Sequence, residues 1–263
     1  LFALTANASI AALFVAGILP GMLMCGGFMF MCWWVGKRRN FPRDLTPIDW
    51  SVFRVHLLYS SPALLLPVLI VLFLRFGIAT PTEVAVLSTL YAGVVSVVVY
   101  RDLSFKRLND AVVSAGLATG VVLLVIMASA AIGWLLTYDQ MPSGVAQWIT
   151  DNVHQDWIVI LIMNLLMLFI GMFIDLPAAV LLLTPVFLPL AQSIGMDPVQ
   201  LGIMMVVNLA VGLYTPPVGT TLFITSALAK VKVGQTVREL GPFYFVAFLV
   251  LALVSYVPAS ILR

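Results

Sequence analysis

The stretch that decides the fold is Met205–Val231, MVVNLAVGLYTPPVGTTLFITSALAKV. It is apolar enough to lie in a lipid bilayer, yet it carries Pro216-Pro217 at its middle, between Gly212 and Gly219. Because each proline removes a backbone donor and clashes with the preceding turn, an uninterrupted helix cannot pass through this point. Freed backbone groups at membrane depth must be satisfied, so such a break survives only inside protein or beside a polar cavity. Secondary transporters hold ions and anionic substrates between half-helices of this kind. A purely structural proline kink is the alternative.

The composition is that of a membrane protein. The chain has 263 residues, of which 62% are hydrophobic and 9% are charged, and its mean hydropathy is +1.13. Soluble domains are about 45–50% apolar and about 25% charged, so a polytopic protein surrounded by a lipid bilayer is indicated. The net charge of +2 is too small to suggest a nucleic-acid partner. Because Leu1 is not an initiator methionine and no signal peptide precedes the first apolar run, we expect the chain to begin inside a longer protein.

Apolar segments of spanning length predict transmembrane helices at Ile10–Val35, Leu57–Leu74, Glu83–Tyr100, Asp110–Tyr138 and Pro242–Ile261. Just before the second span, Ile48–His56 has the pattern of a short amphipathic helix at the membrane interface. Thr80 is predicted to cap the third span, because Pro81 and Glu83 follow it at the first and third helical positions. The fourth span would extend about 43 Å, beyond a hydrocarbon core of about 30 Å, and a bend is expected at its small residues 128–133.

The segment Trp157–Pro189 has the pattern of a helical hairpin. Asp175 and Pro177 separate its halves, Trp157–Ile174 and Leu176–Pro189. The second half, at roughly 21 Å, is too short to cross the membrane, which favours a re-entrant hairpin over two full spans. The following segment, Val199–Lys230, is too long for one straight span and fits two half-helices joined by a non-helical link. The fold class predicted is therefore an all-α polytopic membrane protein.

The distribution of positive charge orients this arrangement. If Lys37 lies in the cytoplasm, the order of spans places all of the thirteen lysines and arginines there except Arg75 and Arg263. This obeys the positive-inside rule. The two cysteines, Cys25 and Cys32, would lie about 10 Å apart on one helix, which is too far for a disulfide.

Asp175 is the only acid within a long apolar segment, and an intramembrane carboxylate marks a functional site by default. The alternative is a residue at the tip of the hairpin that reaches water. Carbonyl groups at the hairpin tip and in Gly212–Gly219 could coordinate a hard cation such as Na⁺. The threonine hydroxyls could coordinate Na⁺ or bind a substrate carboxylate. For each threonine, the alternative is a structural role in helix–helix contact. The further candidates are Gly171, Thr215, Thr220 and Thr221, with Asn208, seven residues before Thr215, and more weakly Ser129.

Enzymatic functions are disfavoured. With one buried acid there is no intramembrane aspartyl dyad, and both histidines, His56 and His154, lie at predicted surfaces. The sequence has no H-E-x-x-H, Walker A or G-x-G-x-x-G motif. The absence of an ATP-binding motif argues against a primary pump.

The run GMFIDLPAAVLLLTPVFLPLAQSIGMDPVQLGIMMVVNLAVGLYTPPVGTTLFITSALAKV, Gly171–Val231, closely resembles the large membrane subunit of tripartite ATP-independent periplasmic (TRAP) transporters. Three more segments share the resemblance, in the family's order: Ser9–Met24, Ala79–Val95 and Ile126–Thr137. The resemblance runs nearly end to end.

The resemblance implies an elevator-type transporter fold with two inverted repeats, in the bacterial inner (cytoplasmic) membrane. Residues 1–109 would supply scaffold helices and an interfacial arm, 110–240 the moving transport domain, and 241–263 a final span. The second repeat would contribute the tip Gly171–Pro177 and the broken helix Gly212–Thr221. The first repeat, with its own tip and break, is not in this sequence, so these 263 residues alone are not expected to transport.

The resemblance also implies partners and a site. A small membrane subunit and a periplasmic binding protein would accompany this subunit, the latter delivering a carboxylate such as a C4-dicarboxylate or sialic acid. The substrate candidates are Asp175, Asn208, Thr215, Pro216, Thr220 and Thr221, and the Na⁺ candidates are Ser129, Gly171, Asp175, Gly212, Thr215 and Gly219. The alternatives are an elevator transporter without a binding protein, an ion channel, and a structural subunit without a site.

Overall fold

The structure, a computed structural model, describes residues 1–41, 49–140, 144 and 155–257. Over these ranges the regular structure is entirely α-helical. The helices are α1 (Phe2–Ala6), α2 (Ile10–Arg38), α3 (Trp50–Arg75), α4 (Pro81–Val98), α5 (Phe105–Tyr138), α6 (Asp156–Gly171), α7 (Leu176–Ser193), α8 (Pro198–Gly212), α9 (Thr220–Leu228) and α10 (Val233–Tyr256). The predicted positions Ile48, His154, Ile261 and Arg263 lie outside the described residues.

Six of the described helices are long and apolar enough to cross a membrane: α2, α3, α4, α5 over Phe105–Ile132, α7 and α10. Two more, α6 and α8, are apolar but shorter. The prediction of an all-α polytopic membrane protein is therefore confirmed. Both cysteines are free, as their spacing on one helix predicted.

The start of α4 forms as predicted. Thr80 is the N-cap, and its hydroxyl accepts a hydrogen bond from the Glu83 backbone N–H. The Glu83 carboxylate in turn accepts from the Thr80 backbone N–H at 2.7 Å. This reciprocal pair satisfies two of the four amide groups that the first turn of any helix leaves without partners.

The separate interfacial helix predicted at Ile48–His56 is wrong. Residues from Trp50 to Arg75 form one continuous helix, α3, whose N-cap is Asp49. The Asp49 carboxylate accepts hydrogen bonds from the amides of Ser51 and Val52, so the helix begins there. No glycine or proline lies near the junction of His56 and Leu57, where the predicted interfacial helix would end. The amphipathic segment therefore continues directly into the apolar span as one helix.

The length predicted for the second arm of the hairpin is also wrong. Pro189 does not end α7, which runs for 18 residues to Ser193 with Pro185 and Pro189 inside it. Its length of about 27 Å approaches that of a spanning helix, so length does not establish a re-entrant arm. The prolines are tolerated inside α7 because eight of its 18 residues are buried, and neighbouring helices hold it in place.

Two other helix bounds differ from prediction. The last helix begins at Val233 rather than Pro242, which lies within it. Helix α5 begins at Phe105 rather than Asp110 and is helical to Tyr138, through the small residues 128–133, where the expected bend stays a prediction. A cluster of small residues weakens a helix only modestly, and alanine in particular favours it.

Backbone contacts divide the chain into two units, residues 1–35 with 121–263 and residues 36–120. In the first unit α8 is central, because α6, α7 and α10 all pack against it and α1 packs on α7 and α8. Small residues permit the close approach: a Cβ at Gly202 would lie 2.7 Å from Phe2. Such packing, rather than escape from water, holds helices together in lipid. The functional domains predicted at 1–109, 110–240 and 241–263 stay a prediction.

In the second unit α3 packs against α4. The Tyr91 hydroxyl donates to the Pro62 carbonyl at 2.8 Å, and the Tyr100 hydroxyl donates to the Tyr59 carbonyl at 3.1 Å. The rings of Tyr59 and Tyr100 also meet edge to face, with centroids 5.0 Å apart. Two tyrosines therefore fasten α4 to the backbone of α3.

Candidate functional site

The predicted break in the long apolar segment is present. Helix α8 ends at Gly212 and α9 begins at Thr220, and the residues between them, Leu213–Gly219, are called the link here. The Pro216-Pro217 peptide bond in the link is cis. Gly219 closes the link with φ of 50°, in the left-handed region that glycine adopts without strain.

The hairpin tip, Met172–Asp175, joins α6 to α7 and lies directly against the link. The Gly219 backbone N–H donates to the Met172 carbonyl at 3.0 Å. The Thr220 hydroxyl donates to Oδ1 of Asp175 at 3.3 Å. The structure thus brings together Asp175 and the break, which the sequence analysis had assigned to one candidate site without giving the contact between them.

Two glycines allow this contact. A Cβ at Gly212 would lie 2.6 Å from the carbonyl carbon of Gly171, closer than side-chain atoms approach a backbone. A Cβ at Gly171 would meet Leu209 at 3.1 Å. Gly171 and Gly212 are therefore the points at which the ends of α6 and α8 touch, and their role is close packing beside the site.

The carbonyl groups of the link divide into two sets. Those at its start are occupied: the Leu213 carbonyl accepts from the Thr221 amide at 3.1 Å, and the Tyr214 carbonyl from the Tyr244 hydroxyl at 2.6 Å. The Gly219 carbonyl at its end is also occupied, by the amides of Leu222 and Phe223. In the described part of the chain, no donor bonds to the four carbonyls in the middle of the link or to two at the tip. These open carbonyls belong to Thr215, Pro216, Pro217 and Val218, and to Phe173 and Ile174.

The threonine hydroxyls have different surroundings. Thr215 donates to the Val211 carbonyl at 2.7 Å and keeps its acceptor lone pairs. Thr220 and Thr221 open α9 and are exposed, as is Asp175. Ser129 is half-buried on α5, and within the described ranges it makes no hydrogen bond to any of these residues.

Asn208 is fully buried one turn before the end of α8. Its amide donates to the side chain of Asn164 on α6 at 2.8 Å and to the Asn164 carbonyl at 2.9 Å. Asn164 in turn donates to the Ser255 hydroxyl on α10 at 3.0 Å. The three residues Asn164, Asn208 and Ser255, called the polar cluster here, link α6, α8 and α10 by hydrogen bonds. Asn208 uses its side-chain amide to donate to Asn164 alone.

Four residues that lie in the link, contact it or lie behind it were not predicted from the sequence: Asn164, Ser255, Tyr214 and Tyr244. Asn164 and Ser255 carried a signal, since each is a polar residue within an apolar helix. Tyr244 carried none, because its partner lies 30 residues away in the chain.

These features define a class: an all-helical, multi-pass membrane protein in which the tip of a helical hairpin meets a broken helix. A family model described as "Tripartite ATP-independent periplasmic transporter, DctM component" matches residues 1–260. The chain belongs to this DctM family and is a multi-pass protein of the bacterial inner membrane.

Several relatives match nearly the whole chain. Protein y4mL of Sinorhizobium fredii is 56% identical over 98% of the chain and 62% of its own length. The C4-dicarboxylate TRAP transporter large permease protein DctM of Pseudomonas aeruginosa is 33% identical over 98% of the chain and 60% of its own length. The sialic acid TRAP transporter large permease protein SiaM of Vibrio cholerae is 34% identical, with the same coverage. The chain thus spans about three fifths of the length of these curated relatives.

Proposed function

We propose that this chain is the C-terminal portion of the large membrane subunit of a Na⁺-coupled TRAP transporter that imports an organic acid. The observation that carries the proposal is the meeting of tip and link, where one carboxylate and six open carbonyls lie on two segments in contact. The names of the DctM and SiaM relatives support it.

The chemistry of the donor groups fits Na⁺. Hard cations prefer oxygen ligands such as carboxylate, backbone carbonyl and hydroxyl groups. The open carbonyls of the tip and link, with Asp175 and Thr215, supply all three kinds. A single carboxylate among neutral oxygens favours weak, reversible binding of a monovalent ion, which is what a coupling ion requires. Gly171, Gly212 and Gly219 would bring these ligands together by close packing, and Ser129 remains the weakest member of the proposed set.

An organic anion would bind beside the ion. Two helices, α7 and α9, begin at the site, and their N-terminal amides favour negative charge. The exposed hydroxyl of Thr221 could donate to a carboxylate, and that of Thr220 could do so if it exchanged Asp175 for the substrate. The relatives' names indicate C4-dicarboxylates or sialic acid as the class of substrate. Asp175 and Pro216 would border this anion, whereas Asn208, with its amide held by Asn164, would support the site from behind.

Transport would follow an elevator mechanism, in which the part of the subunit that holds tip and link moves across the membrane against fixed scaffold helices. The proposed partners are the remaining part of the same subunit, a small membrane subunit and a periplasmic substrate-binding protein. The support for these partners is membership of the tripartite family.

The test is uptake of labelled carboxylates into proteoliposomes that hold the complete subunit and its small partner. The inward Na⁺ gradient and the binding protein are each added or withheld. We expect uptake only when both are present. Uptake without the binding protein would instead establish a stand-alone carrier, and electrical conduction at rates far above carrier turnover would establish a channel.

A further inference from the structure

We infer that Tyr244, on the last helix, is a positioning residue that fixes the link and thereby sets the geometry of the candidate Na⁺ site. The inference rests on the proposed function for its effect on transport. Its structural part, that Tyr244 holds the link in place, can be tested without any transport measurement.

The carrying observation is a hydrogen bond. The Tyr244 hydroxyl donates to the Tyr214 carbonyl with 2.6 Å between the oxygens. That carbonyl belongs to the planar peptide unit that also contains the Thr215 amide. Fixing its direction therefore restricts the backbone immediately before Thr215, whose carbonyl is the first open one in the link.

Ring packing restricts the same contact further. The rings of Tyr244 and Tyr214 are stacked, with centroids 5.6 Å apart and planes inclined at 17°. Phe248, one turn farther along α10, stacks on Tyr244 with centroids 6.3 Å apart. Because the Tyr244 ring is packed between Tyr214 and Phe248, the direction of its hydroxyl group toward the link is fixed.

Helix α10 also holds the second half of the broken helix. Ser226, buried on α9, donates to the Thr236 hydroxyl near the start of α10 at 2.8 Å. Tyr244 follows Thr236 on the same helix, so α10 holds both the link and α9. The hairpin forms its hydrogen bond to the link at the far end, where the Gly219 amide donates to the Met172 carbonyl. Without Tyr244, the start of the link would lose its hydrogen bond to α10, and would keep those of the Leu213 carbonyl to α9 and of the Thr215 amide to Gly212 on α8.

The experiment compares Tyr244→Phe with Tyr256→Phe in the complete subunit with its small partner. Tyr256 is a matched control because it lies on the same helix and its hydroxyl also donates to a backbone carbonyl, that of Trp157, at 3.2 Å. Both variants lose one tyrosine hydroxyl, so a general loss of stability affects them alike. Tyr244→Trp, which keeps an aromatic ring but displaces the donor, is a second variant should Tyr244→Phe fail to fold.

The first readout is amide hydrogen exchange across residues 213–219. We expect faster exchange in Tyr244→Phe and wild-type exchange in Tyr256→Phe. The second readout is the Na⁺ concentration that gives half-maximal uptake. It should rise about three- to tenfold in Tyr244→Phe, the size expected when one hydrogen bond is lost, while the rate at saturating Na⁺ changes little.

The outcomes separate the inference from the proposed function. Equal exchange in the two variants would overturn the inference even if wild-type uptake depends on Na⁺. Wild-type uptake that does not depend on Na⁺ would overturn the proposed coupling, and the exchange measurement would still decide whether Tyr244 holds the link.

Discussion

Asp175 is the residue whose chemistry the proposal depends on most. It is the N-cap of α7 without using its side chain as a cap, and its carboxylate accepts instead from Thr220 across the site. We predict that Asp175→Asn raises the Na⁺ concentration for half-maximal uptake by at least roughly tenfold, because a neutral amide oxygen replaces the carboxylate beside the open carbonyls. Asp139→Asn, the same change at the exposed end of α5, is the control and should behave as wild type. An unchanged Na⁺ dependence in Asp175→Asn would remove this residue from the site.

Gly212 tests the close packing beside the site. A methyl group at this position would overlap the backbone of Gly171, which cannot move aside as a flexible side chain can. We predict that Gly212→Ala lowers the free energy of unfolding by about 1–3 kcal/mol and lowers uptake, measured by thermal melting in detergent and by transport. Gly241→Ala on α10 meets no atom within 4 Å and should leave both unchanged. Wild-type melting and uptake in Gly212→Ala would show that α6 and α8 do not meet closely here.

At the scale of elements, the polar cluster of Asn164, Asn208 and Ser255 fastens α6, α8 and α10 to one another. We predict that Asn164→Leu destabilises the folded subunit by about 1–2 kcal/mol, because one N–H of the buried Asn208 amide loses its side-chain partner while the other keeps the backbone carbonyl of residue 164. Asn164→Leu combined with Asn208→Leu should recover part of this loss, since the orphaned amide is also removed. A double-mutant cycle by thermal melting measures the coupling, and additive effects would show that the two side chains do not interact.

The elements could be predicted where one residue type decides the backbone. Pro216-Pro217 forces the break, and Thr80 with Glu83 sets the start of α4. The predicted helix ends were wrong at Pro189 and Pro242, because both prolines lie inside helices. There, packing by neighbouring helices outweighs the backbone hydrogen bond that proline removes. The sequence also placed Asp175 and the link in one candidate site, but it did not give the hydrogen bond between Asp175 and Thr220. Asp175 and Thr220 are far apart in the sequence, and the packing of α6 and α7 on α8 brings them together.

At the scale of the whole molecule, the exposed surface is that of a protein embedded in a bilayer. Large apolar side chains such as Leu117, Leu124 and Met127 on α5 are exposed, each by more than 65%. Apolar surface of this extent contacts lipid or other membrane helices. The helices should therefore insert into a bilayer irrespective of whether the subunit is complete.

Insertion of the chain into a membrane and transport of a substrate are expected to have different requirements. The chain spans about three fifths of the length of its curated relatives. The proposed elevator mechanism needs two inverted repeats, each with a hairpin and a broken helix, and the described residues contain one such pair. We predict that the 263 residues alone, reconstituted with the small subunit and the binding protein, insert into liposomes but take up no labelled carboxylate, whereas the complete subunit does. Protease protection of inserted helices controls for insertion. Na⁺-driven uptake by the 263 residues alone would mean that one hairpin and one broken helix form a complete site, and the two-repeat mechanism would then be wrong.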